Sequence, residues 1–294
     1  MPRAAQSVKK APLSISDYMR TVYRISQENS IEPDELRQKV LDSNPELAQL
    51  AARIAAGEKD VESRNTLAEA YLDHGLVRSA YALLTEALNG EGNFHTEIGL
   101  ARIWDKWHDF SMARRHAAAA IAMNSGSAEA HELMGSIYLH SNAPAEAVGE
   151  FRQALEHAPD APAVIANLGY AYLWNGNLSE AKACLEKALS LNSSLSEARN
   201  NLGIVLARMG DYEGALTQMA QVAAPEIAFN NLGVVLLSLG NTAGAVQAFQ
   251  QALKYAPNYD KAQTNLSAAR ALLPAPVFVN LPPSRAAAVV SGLN

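Results

Sequence analysis

The sequence predicts an all-α protein, a solenoid of about six helix-turn-helix repeats with an N-terminal helical cap and a C-terminal capping helix. Three observations lead there. A leucine or methionine followed by a small residue returns along the chain at a nearly constant spacing. The composition is 49% hydrophobic but only 6% aromatic, so alanine and leucine carry the apolar content. That mix favours helices packed closely through small side chains. The third is a near-verbatim echo: residues 200–203 and 230–233 both read asparagine-asparagine-leucine-glycine.

The recurring pairs are Leu67-Ala68, Leu100-Ala101, Met134-Gly135, Leu168-Gly169, Leu202-Gly203, Leu232-Gly233 and Leu266-Ser267, with spacings of 33, 34, 34, 34, 30 and 34 residues. Three residues after each small residue stand Tyr71, Trp104, Tyr138, Tyr172, Leu206 and Leu236, and twelve after it Ala80, Ala113, Ala147, Ala181, Ala215 and Ala245. Two antiparallel helices approach closely only where the crossing residues are small, which is the use of the Gly and Ala positions. Turn signals fall where a helix hairpin needs them, at Asn175-Gly176-Asn177, Gly210-Asp211 and Gly240-Asn241. The units are therefore 61–93, 94–127, 128–161, 162–195, 196–225 and 226–259, with a capping helix at 260–273. The fifth unit is four residues short, so its second helix is expected to run only from Tyr212 to Val222. In the last helix Arg270 replaces the aromatic, as suits a face turned to solvent.

The pattern L-G, Y, A, F, A, P over 34 residues resembles the tetratricopeptide repeat family, across residues 61–273. That resemblance implies a right-handed superhelical solenoid whose concave surface is lined by the first helix of each unit, through positions two, five, six, nine, twelve and thirteen. Carried onto this chain, position six reads Asn167, Asn201, Asn231 and Asn265, with Asn200 and Asn230 beside it at position five. Tyr170, Trp174, Ile204, Val234 and Leu237 lie between these rungs. Together they are the candidate peptide-binding groove. An asparagine amide both donates and accepts, so it can pair with a peptide bond whatever side chain that peptide carries. The N-terminal half of the surface is charged instead, through Glu62, Glu69, Asp73, Arg102, Asp105, Lys106, Glu129 and Glu132. A clamp for acidic C-termini needs basic residues at positions five and six, and Lys261 alone is a candidate.

The flanks are expected to differ from the array. Residues 1–13 read as a disordered leader, with a transit peptide as the alternative because Arg3, Lys9 and Lys10 face no acid before residue 17. Residues 14–60 read as an N-terminal helical cap. In it, Ile15, Tyr18, Met19, Val22 and Tyr23 follow helical spacing, and Asn44-Pro45 marks a helix start. The tail, 274–294, is apolar and proline-broken, expected to be flexible or docked and to allow self-association.

No run of 18 apolar residues is present, so no transmembrane helix is expected. The net charge of −6 offers no general attraction for nucleic acid. The single cysteine, Cys184, fits a reducing compartment, and with no secretory signal or lipobox the expected location is cytoplasmic. The seven histidines form no metal-ligand spacing, and there is no Gly-rich phosphate loop or nucleophile elbow. No cofactor, metal site or catalytic residue is therefore expected. The function predicted is a non-catalytic scaffold or adaptor binding a partner peptide in its groove. The alternative is a regulatory or substrate-recruiting subunit of an enzyme on another chain. The alanine-rich repeats, short fifth unit and tail also resemble, more loosely, bacterial TPR proteins of the Flp/Tad pilus-assembly type.

Overall fold

A computed structural model describes residue 32 and residues 34–89 and 91–273. The expected leader, the helix around residues 15–23 and the tail after residue 273 lie outside the described residues. Among those described, fifteen α-helices and no strand are found, paired consecutively as the repeat requires. The chain divides into two compact units after Leu133, each described by itself.

The first unit opens with α1 (Asp34–Ser43) and α2 (Pro45–Ala55). Asn44 caps α2 by accepting from Glu46 N and Leu47 N, as the asparagine-proline start predicts. Both helices pack on α3 (Val61–Asp73), which pairs with α4 (Val77–Asn89); α5 (Phe94–Lys106) pairs with α6 (Phe110–Met123). Asn93 and Thr96 close a reciprocal capping box at the start of α5.

One carboxylate caps α4. It is that of Glu32, from outside the repeat, accepting from Arg78 N at 2.8 Å, Ser79 N at 2.9 Å and Ser79 Oγ at 2.7 Å. Partial burial works against the Glu32 charge, but these hydrogen bonds outweigh it and hold the carboxyl below its ordinary pKa. A depressed carboxylate contributes stability that is present above its unfolded pKa and lost as pH falls through the folded one. Attachment of residue 32 is thus expected to loosen as pH falls below the ordinary glutamate range. Limited proteolysis near residues 32–44 should speed up there, and should already be fast at neutral pH in Glu32→Ala.

Helix α7 (Ala128–His140) crosses the division. Beyond it, the second unit runs α8 (Pro144–His157), α9 (Pro162–Trp174), α10 (Leu178–Leu191), α11 (Ser196–Arg208), α12 (Tyr212–Ala220), α13 (Pro225–Ser238), α14 (Thr242–Tyr255) and α15 (Asp260–Ala271). Each packs on the next, and α9, α11, α13 and α15 also pack side by side. Helix α12 ends two residues before the expected Val222. Val222 N and Ala223 N both turn back to the carbonyl of Met219, and Pro225, first residue of α13, holds Ala224 extended.

The packing logic holds at atomic scale. A Cβ on Gly203 would lie 2.7 Å from Met219 Cγ and 3.1 Å from the carbonyl of Ala215, both in the partner helix of the same repeat. Gly203→Leu is therefore expected to cost about 1–3 kcal/mol by overpacking. A melting temperature equal to that of the parent protein would refute the crossing.

The hairpin turns share one backbone device. The fifteenth residue of every repeat has positive φ: Gly75, Gly176, Gly210 and Gly240, but also His108 and Asn142, both at 59°. The residue after it donates to the carbonyl five back, as Leu76 does to Tyr71 and Asp109 to Trp104, closing the helix in a Schellman turn. A histidine there carries a left-handed penalty of about 1–2 kcal/mol, against an entropic cost to glycine of about 0.5–1 kcal/mol. His108→Gly is expected to stabilise the protein by about 0.5–1 kcal/mol, read as a higher denaturant midpoint, while Asn142→Gly should gain less because asparagine tolerates this conformation.

Candidate partner-binding groove

A groove of about 940 Å³ opens in the second unit across α7, α9 and α11. Its lining follows the repeat register. Ser136, Leu139 and His140 stand at positions nine, twelve and thirteen of the third repeat. Ala163, Ala166, Asn167 and Tyr170 stand at two, five, six and nine of the fourth, and Glu197, Asn200 and Asn201 at two, five and six of the fifth. These side chains share one face because helical residues three and four apart are neighbours. The loops at Ser194-Leu195 and Val222-Ala223 complete the lining. The second loop comes from the shortened repeat, whose chain turns out of α12 early.

The surface is largely uncharged, with one carboxylate. Glu197 and His140 are its ionisable groups, set among serine hydroxyls, alanine methyls, Tyr170 and three amides. Asn200 and Asn201 are half-buried, and their side-chain amides make no hydrogen bond to the described residues. Two half-buried amides facing a groove can satisfy main-chain groups of a visiting segment.

Of the residues expected from the sequence, the structure brings Asn167, Tyr170, Asn200 and Asn201 together in this groove. Trp174 stands outside the lining, 57% exposed, its ring edge-on to Tyr170 at 6.0 Å. Ile204, Asn231, Val234 and Leu237 also lie outside the lining, on α11 and α13. Asn230 and Asn265 spend their amides on each other: Asn265 Nδ2 donates to the buried Asn230 Oδ1 at 2.9 Å, tying α15 to α13. The row of asparagines thus divides into groove residues and an internal tie. Sequence reading missed Ser136, Leu139 and His140, although their register positions signalled them, and the two loops, which no periodicity marks.

The first unit carries a smaller hollow of about 140 Å³, lined at the same register positions by Glu62, Glu69, His95 and Arg102 among others. Here charges pair with one another. Arg102 Nη2 meets Glu129 Oε1 at 2.7 Å, and Nη1 lies 3.8 Å from Glu69. Position six of the second repeat is Gly99, where a Cβ would lie 2.6 Å from Leu84 Cδ1, so the amide row has no counterpart there.

Other reactive groups are absorbed by packing. His116 is buried, its Nδ1 2.6 Å from Glu97 Oε2. Burial pushes the Cys184 thiol up, which disfavours the nucleophilic thiolate. Among the described residues, no three His, Cys, Asp or Glu side chains gather to hold a metal, and no helix is long and apolar enough to cross a membrane.

Comparison with known proteins agrees with this architecture. Models of the tetratricopeptide repeat match residues 138–192, 227–259 and, in two blocks, 108–162 and 167–231, so that residues 108–259 are covered without a gap. Tetratricopeptide repeat protein 21B of Xenopus laevis is 30% identical over 164 residues, 54% of this chain and only 12% of that much longer protein. Among solved structures, PilW, described as a widely conserved type IV pilus biogenesis factor, superposes with a TM-score of 0.59 at 20% identity, over 71% of this chain and all of its own. PilF of Pseudomonas aeruginosa gives 0.56 at 19% identity, over 71% of this chain and 97% of its own. A tetratricopeptide repeat protein from Parabacteroides merdae gives 0.56 at 14% identity, over 80% and 99%. At these identities the likeness concerns the fold.

Proposed function

The chain belongs to the tetratricopeptide repeat family of protein–protein interaction scaffolds, and from that premise we propose that it is a non-catalytic adaptor that holds an extended peptide segment of a partner protein in the groove of α7, α9 and α11. The observation that carries the reading is the convergence of Asn167, Asn200, Asn201 and Tyr170 on one groove of about 940 Å³. The amides recognise main chain; the alanine, leucine and tyrosine surfaces cover side chains. Aromatic residues usually dominate such contacts, so Tyr170 is the expected anchor, with Trp174 beside it. The setting proposed is a bacterial pilus or secretion assembly, which the looser sequence resemblance suggests. Two proteins of similar fold, PilW and PilF, carry pilus names, though that likeness speaks only to the fold.

The test is to pan a random peptide library against the purified full chain and measure the recovered peptides by calorimetry. Tyr170→Ala should weaken them at least tenfold, while the array stays helical and folded with its melting temperature lowered only moderately, because the ring is half-buried against the core. Peptides that bind the variant as well as the parent would move the working surface away from this groove.

A further inference from the structure

The groove opens where two side chains are cut short. In the other repeats and the capping helix, position two of the first helix is Glu62, His95, Glu129, Glu197, Ile227 or Lys261. Position five is Asn65, Ile98, Glu132, Asn200, Asn230 or Thr264. In α9 both are alanine, Ala163 and Ala166, and both line the groove. Residues three, four and seven apart share a helix face, so Tyr170 stands one turn beyond Ala166 on the side that the alanines leave open. Leu139, from α7, lines the same space. Tyr170 and Leu139 are both packed against the core of the second unit, which fixes them before anything binds. The hollow therefore has an alanine floor and preformed apolar walls, the setting in which a large apolar side chain is buried at little ordering cost.

A carboxylate borders this hollow. Glu197, at position two of α11, lines the same groove and is exposed. Its side chain makes no hydrogen bond or ion pair with the described residues. Arg199, close to it in sequence, turns instead to Gln218 Oε1 at 3.1 Å and to the carbonyl of Ser193 at 2.9 Å. An unpaired anion beside an apolar hollow is complementary to a cation carried by the occupant, and it disfavours an acidic one. Helices α9 and α11 pack side by side. Neighbouring axes lie about 10 Å apart, the span of about three extended residues.

We propose that the groove selects extended segments that pair a large apolar side chain with a lysine or arginine about three residues away. The apolar side chain seats on Ala163 and Ala166 between Tyr170 and Leu139, and the cation meets Glu197. This inference rests on the groove reading and adds to it the class of segment that the groove accepts.

The test compares peptides recovered from a random library on the full chain with their binding to three full-length variants. The recovered peptides should share the apolar and basic pair. Leucine is nearly as good a helix former as alanine, so Ala163→Leu should fold while filling the floor, and should weaken these peptides about tenfold or more. Copies with the apolar residue cut back to alanine should bind parent and Ala163→Leu alike. Glu197→Gln should weaken the basic peptides about two- to fivefold at low salt and remove the salt dependence of their binding. Tyr170→Ala, measured in parallel, separates the two levels of the argument. Peptides that need Tyr170 but lack the pair, or that bind Ala163→Leu and Glu197→Gln as well as the parent, would overturn the selectivity and leave the groove as the binding surface. Peptides indifferent to Tyr170→Ala would overturn the groove reading, and the selectivity with it.

Discussion

Phe249→Ala is expected to lower stability by about 3–5 kcal/mol, a loss matched in the second unit by the equally buried Phe151. Phe249 is wholly buried and lies where α13 and α14 cross. Its ring occupies the space left by Gly233: a Cβ there would sit 2.5 Å from Phe249 Cε1. The two residues form one packing device, in which the missing side chain on one helix accommodates the ring on the other. Truncation removes the transfer free energy of the ring and leaves a cavity that the neighbouring helices cannot fill without shifting. Because an array is stabilised mainly by each repeat and its nearest neighbours, amide exchange should accelerate first in α13, α14 and α15. Tyr255→Ala on the same helix removes an exposed ring stacked on Phe229 at 5.6 Å and should cost only about 1 kcal/mol. A Phe249→Ala midpoint within error of the parent would show that the crossing is not where the structure puts it.

Asn200→Ala/Asn201→Ala is expected to weaken a groove-binding peptide about 5- to 100-fold. Each amide can satisfy one or two main-chain groups, and each such bond contributes about 0.5–1.5 kcal/mol net, so two lost bonds convert to that range. Stability should hardly change, since neither amide makes a hydrogen bond to the described residues. That separation of binding from stability distinguishes a recognition role from a packing role. The matching control is Asn230→Ala. Its buried carbonyl oxygen accepts from Asn265, so losing it should destabilise the end of the array by about 1–3 kcal/mol, the desolvation cost of the orphaned partner, and leave peptide affinity intact. If the double variant binds normally while folded, the amides at positions five and six are consensus residues and recognition lies elsewhere.

Much of the fold was legible because its determinants are periodic. Gly203 and Gly233 could be read as crossing points, and Gly210 and Gly240 as turns, from spacing alone, since a helix pair repeats every 34 residues and each crossing must be small. His108 and Asn142 occupy the same left-handed turn position as the glycines, but their residue types hide it. The length of α12 was overestimated because the pull of Pro225 on the preceding residue is a local effect that the repeat pattern does not carry.

The groove was half legible. Positions five, six and nine, taken from the family resemblance, pick out Asn167, Tyr170, Asn200 and Asn201. They could not separate Asn201, which lines the groove, from Asn265, which bonds Asn230, although both stand at position six. The difference lies in what each amide meets across the helix pair, a distance set by packing.

The sequence by itself determined the helix pairs, their crossing residues and their hairpin turns, because each depends on side-chain size and backbone preference at fixed spacing. Only the tertiary structure decided which asparagines face open space, that Val222 and Ala223 join the groove lining, and that Glu32 caps α4 from 46 residues away. Those outcomes depend on which helices come to lie side by side, and that is settled by the packing of residues far apart in the chain.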